Sequence, residues 1–88
     1  MSKKIIFTGR VQGVGFRYTM HRISGEYAVT GYVKNLPDGT VEALVQGTSK
    51  TIDTFIDDVA KQMERNITRI DLQAVEKDDQ FKCFAIAY

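Results

Sequence analysis

The chain is poor in the residues that would commit it to several common classes. Its single cysteine, Cys83, excludes an internal disulfide and any cysteine-built metal cluster, so the reducing cytoplasm is the expected compartment. Apolar runs stop after a few residues, far short of the roughly 20 that span a bilayer. Met1-Ser2-Lys3-Lys4 is basic, but only Ile5-Ile6-Phe7 follows it before polar Thr8, and no signal-peptide core is expected. The formal charge is only +1, without the basic excess of a general nucleic-acid binder. Eighty-eight residues are long enough for one core and too short for two, so a single domain over 1–88 is expected.

What charge there is lies unevenly. Residues 1–34 hold six basic side chains against Glu26 alone, whereas residues 35–88 hold six basic and ten acidic ones. An anion site, if the chain has one, belongs in the first third. Taken alone, the asymmetry serves solubility equally well.

Periodicity sets out the elements. Lys4 to Val11 reads as a strand, followed by the two-glycine loop Gln12-Gly13-Val14-Gly15-Phe16-Arg17. Met20, Ile23 and Tyr27 recur at helical spacing, which predicts a helix from Phe16 to about Ala28 with Gly25 in its interior. Thr30 to Asn35 and Thr40 to Gln46 read as a hairpin around the turn Leu36-Pro37-Asp38-Gly39. Thr48 or Ser49 can cap a second helix, whose apolar stripe runs Ile52, Phe55, Ile56, Val59, Met63. Ile67 to Val75 alternates as a strand with one wet face, and Phe81 to Tyr88 reads as a last strand. This order predicts an α+β, ferredoxin-like βαββαβ sandwich: an antiparallel four- to five-stranded sheet with two helices on one face.

The topology locates a candidate site before any motif is considered. Strands one and two run parallel with strand three between them, so their C-terminal ends share one sheet edge. The Gln12–Arg17 loop and Asn35 should therefore face each other. Glycines at 13 and 15 let successive amides curl into a nest, and the helix beyond adds unpaired N–H groups and the positive end of its dipole. Arg17 sits where a cation is disfavoured, which makes sense if an anion bridges the guanidinium and the loop. A bare glycine loop is more often a structural turn with a solvated arginine. Asparagine at a strand end is commonly turn chemistry, although Pro37-Asp38-Gly39 already supplies the turn here.

Two blocks lift this reading above its parts. Gly9-Arg10-Val11-Gln12-Gly13-Val14-Gly15-Phe16-Arg17 and Gly31-Tyr32-Val33-Lys34-Asn35-Leu36-Pro37-Asp38-Gly39-Thr40-Val41, with Gly47 beyond, resemble the two signatures of the acylphosphatase family. The resemblance covers nearly the whole chain. It implies a cytosolic, monomeric, cofactor-free and metal-free hydrolase that converts small acyl phosphates to carboxylate and orthophosphate. By the same resemblance, Arg17 and the backbone of Gln12, Gly13, Val14, Gly15 and Phe16 bind phosphate, and Asn35 orients the attacking water. The chain departs from the family pattern at Gly25, Ala28, Arg65-Asn66-Ile67 and Ala87, none of them in the catalytic pair.

Neither block holds a histidine, cysteine or glutamate, so neither offers a general base or nucleophile. An acyl phosphate asks for little help, because its carboxylate leaving group has a pKa of roughly 4. Holding the phosphoryl group, stabilising its charge and placing water in line remain to be done. His21, one turn after Arg17, reads as a surface residue, and Cys83 as an inert thiol on the face opposite Phe84 and Ile86. Asp57-Asp58 and Asp78-Asp79 lack the spacing of a calcium loop. Two rivals come from other classes. An RNA-recognition domain needs aromatics on the central strands, and strand three has none. A non-catalytic module that binds phosphate or carbamoyl phosphate is the alternative to the enzyme.

Overall fold

A computed structural model describes all 88 residues. The elements are β1 (Ser2–Gly9), α1 (Phe16–Ser24), β2 (Thr30–Asn35), β3 (Val41–Gln46), α2 (Ser49–Gln62), β4 (Ile67–Val75) and β5 (Phe84–Ile86). They form one five-stranded sheet in the order β4-β1-β3-β2-β5. β3 is antiparallel to both β1 and β2, with Ile5 opposite Ala43 and Val33 opposite Ala43 across the two ladders. The expected all-antiparallel sheet needs one correction: β5 adds parallel to β2, with Gly31 beside Phe84 and Val33 beside Ile86.

Strand alternation sends one set of side chains toward the helices. Ile5 and Phe7 from β1, Val33 from β2, and Val41, Ala43 and Val45 from β3 are all fully buried. Phe16, Met20 and Ile23 of α1 and Ile52, Phe55, Ile56 and Val59 of α2 cover them, as the two apolar stripes require. Each of these side chains larger than alanine contributes about 1.5–3 kcal/mol when fully buried. The Thr48 side chain caps α2 by accepting from Thr51 N–H at 3.1 Å. No helix is long and apolar enough to cross a membrane.

Three elements differ from the periodicity by more than one residue. β1 spans Ser2–Gly9 rather than Lys4–Val11, because Val11 leaves the ladder and is buried in the core instead. α1 ends at Ser24, and Gly25 is its C-cap, not an interior residue. Beyond that point the chain tightens: Glu26 N–H donates to Ile23 C=O and Tyr27 N–H to Ser24 C=O. This winding keeps Tyr27 near the stripe, so its ring meets Phe55 at 5.5 Å although the helix has ended. The last strand shrinks from Phe81–Tyr88 to Phe84–Ile86, and Cys83 stands exposed just before it.

The face away from the helices is closed differently. Glu42, on central β3, lies 3.5 Å from Lys4 and 3.5 Å from Lys34 and accepts from the Tyr32 hydroxyl at 2.8 Å. The β4–β5 connection crosses this face, where Gln46 exchanges hydrogen bonds of 2.9 and 2.7 Å with the backbone of Asp78 and Phe81 packs on Tyr32 at 5.5 Å.

Candidate active site

The C-terminal ends of β1 and β2 share one sheet edge, and the two motif blocks meet there. The loop after β1 reaches α1 through two left-handed glycines, Gly13 at φ 74° and Gly15 at φ 77°. Gly15 is the N-cap of α1 and offers no side chain, and the first turn of the helix has no acidic residue. The opening N–H groups of α1 thus have no internal partner. They give this end of the helix a positive potential, to which no carboxylate of α1's own first turn responds.

The loop is tied to the opposite block by Gln12. Its amide nitrogen donates to Leu36 C=O at 2.8 Å and to Thr40 C=O at 2.8 Å, spanning both sides of the β2–β3 turn. The turn closes on itself through Leu36 N–H to Thr40 C=O at 2.9 Å. Asp38 finishes it by accepting from the Thr40 hydroxyl at 2.6 Å and the Thr40 N–H at 3.0 Å. Those two donors, the hydroxyl first, hold the Asp38 carboxyl below its usual value of 3.8. Asn35 takes no part in this: its Oδ1 is buried and has no hydrogen-bond partner. Such an acceptor costs about 1–3 kcal/mol while unpaired. The turn makes no demand on this amide, whose terminal torsion is soft enough to rotate.

Between these elements lies a cleft of about 230 Å³ lined by nine residues, among them Gly13, Gly15, Phe16, Arg17 and Asn35. Arg17 is its only charged side chain. The basic excess of residues 1–34 is largely used elsewhere: Lys3 pairs with Asp53, and Lys4 and Lys34 with Glu42. Arg17 makes no ion pair. Its Nη1 donates to Ala87 C=O at 3.2 Å, and its guanidinium carbon lies 5.0 Å from the Tyr88 ring centre. One of five guanidinium donors is so engaged, which leaves the others for an anion.

The structure therefore brings Arg17, Asn35, Gly13, Gly15 and Phe16 to one cleft. Val14 instead packs against the core, and the Gln12 side chain serves as the tie between blocks. His21 is exposed and stands outside the lining. Sequence reasoning missed Val11, Tyr18, Ile86 and Tyr88, which also line the cleft. The parallel pairing of β5 with β2 carries the chain end to the same edge, so for Ile86 and Tyr88 the missing signal was strand direction.

Comparison with known proteins agrees from end to end. The acylphosphatase family profile matches residues 3–86. An acylphosphatase from Lactobacillus johnsonii is 36% identical over 83 residues, covering 92% of this chain and 91% of that protein. The crystal structure of acylphosphatase from Bacillus subtilis superimposes with a TM-score of 0.86 at 32% identity, covering 99% of this chain and 98% of that one. A HypF from T. kodakarensis superimposes with a TM-score of 0.85 at 34% identity, where all of this chain covers 12% of that much longer one. Sharing sequence and fold with these enzymes over nearly its full length, this chain belongs to the acylphosphatase family and is an acylphosphatase, a hydrolase of acid anhydrides.

Proposed function

We propose that the cleft hydrolyses the carboxyl–phosphate bond of small acyl phosphates with Arg17 and the 12–16 backbone as the phosphate site and Asn35 as the water-orienting residue. The observation that carries this division is the cleft itself. It gathers a left-handed glycine loop, an arginine that makes no ion pair, and an asparagine amide that the turn does not use.

The roles follow from charge and geometry. The guanidinium and the loop amides bind the phosphoryl oxygens and oppose the charge that builds as the anhydride opens. Asn35 accepts from one water while donating to a phosphate oxygen, which places the nucleophile beside phosphorus. Water attacks phosphorus, the P–O bond to the acyl group breaks, and the carboxylate leaves unprotonated. A phosphate oxygen takes the proton from the water, so the reading calls for no side-chain base and no cofactor. The protein works as one cytoplasmic, monomeric domain with no nucleic-acid or membrane partner.

Benzoyl phosphate hydrolysis by wild type and Arg17→Ala tests the phosphate site. Loss of one preorganised charge contact lowers kcat/KM by about 10²–10³-fold and weakens inhibition by inorganic phosphate in parallel. Retained phosphate inhibition in Arg17→Ala removes the arginine from the site. Phosphate binding by wild type without turnover of any acyl phosphate favours the non-catalytic module instead.

A further inference from the structure

The cleft lining combines two kinds of residue. Gly13, Gly15, Arg17 and Asn35 supply its polar groups, and Tyr18, Ile86 and Tyr88 its aromatic and apolar ones. Tyr18 is 68% exposed and Tyr88 fully exposed, so two aromatic rings stand in water at the mouth of a phosphate site. Tyr88 is placed there by the fold. Ala87 N–H continues the parallel ladder onto Val33 C=O at 2.9 Å, and the ring then stacks on the Arg17 guanidinium, 5.0 Å away.

We infer that Tyr88, with Tyr18, forms the subsite for the acyl group and selects aromatic or bulky apolar acyl phosphates over acetyl phosphate and over acyl groups carrying a second anion. This rests on the phosphate site proposed above. A phosphoryl group held by Arg17 puts the acyl carbon one anhydride oxygen away, beside the ring that covers the same guanidinium. An aromatic acyl group meets ring edges and faces there. A second carboxylate or phosphate meets no second cation, because Arg17 is the only charged side chain of the lining. The solvent-facing Tyr88 carries nothing of the core, so its variants fold.

Binding of benzoylphosphonate and acetylphosphonate, which lack the labile anhydride oxygen, reads the subsite without turnover. Wild type binds the benzoyl compound more tightly, and Tyr88→Ala weakens it by roughly five- to tenfold more than the acetyl compound. Tyr88→Phe keeps the preference, and the KM ratio of benzoyl to acetyl phosphate moves in step with the binding ratio. Equal affinity of wild type for the two compounds overturns the inference. So does an equal loss for both compounds and inorganic phosphate in Tyr88→Ala, which makes Tyr88 a support for Arg17 alone. A preference for the benzoyl compound in a protein that hydrolyses nothing leaves the subsite standing and removes the catalytic roles.

Discussion

At Gly15 the backbone takes φ 77° and ψ 23° at the point where the loop becomes a helix. An L side chain in that conformation costs about 1–2 kcal/mol, and at Gly15 no atom within 4 Å would crowd an added Cβ. Gly15→Ala therefore isolates the conformational cost. The denaturation midpoint falls by the equivalent of about 1–2 kcal/mol, and phosphate inhibition weakens as the loop amides turn away. An unchanged midpoint and phosphate affinity would mean that the loop does not need its left-handed turn. Arg17 was legible for a related reason: a cation at a helix start is electrostatically misplaced unless something anionic joins it. Tyr88 was not, because its role depends on which strand lies beside β2.

Among the elements, the β2–β3 turn bears most directly on Asn35. Gln12 grips it from the loop side and Asp38 closes it from within. Asp38→Ala opens the turn and lets Asn35 wander, so kcat falls by up to about tenfold, with a smaller effect on phosphate inhibition. A kcat equal to wild type would show that the turn does not hold Asn35 in place. The Asp38 carboxyl is held below 3.8 in the folded state, so its hold on the turn is complete above that value and fails as pH drops through the lowered one. Turn chemistry was plain in Pro37-Asp38-Gly39. The end of α1 was hidden, because the tighter winding from Gly25 to Tyr27 preserves the apolar stripe past the last α-helical residue.

For the whole molecule, the sheet face away from the helices contributes to pH stability at both ends. Burial pushes Glu42 up, but the Tyr32 hydroxyl and the two lysines outweigh it and leave its pKa below the usual 4.5. Burial and the bond to Glu42 push the Tyr32 phenol up to about 12. The Glu42 contribution is complete above about 4.5 and is lost as pH falls through its lowered folded value. The Tyr32 contribution is complete below 10 and is lost as pH rises through about 12. Chemical denaturation across pH should therefore show an acid decline that flattens in Glu42→Gln. An acid limb of equal slope in that variant assigns the decline to other carboxylates. The place of β3 between β1 and β2, and the edge those two share, were readable from βαββαβ alone. The direction of β5 was not, since three residues carry little periodicity and its partner is chosen by distant packing of Phe84 against Phe55.

The division of labour between Arg17 and Asn35 separates in one experiment: kcat for benzoyl phosphate and the inhibition constant of inorganic phosphate, measured together in wild type and Asn35→Ala. If Asn35 orients the water, kcat drops by about 10²-fold or more while phosphate inhibition stays nearly intact. Full turnover in Asn35→Ala, or a loss of phosphate affinity as large as the loss of turnover, contradicts that role.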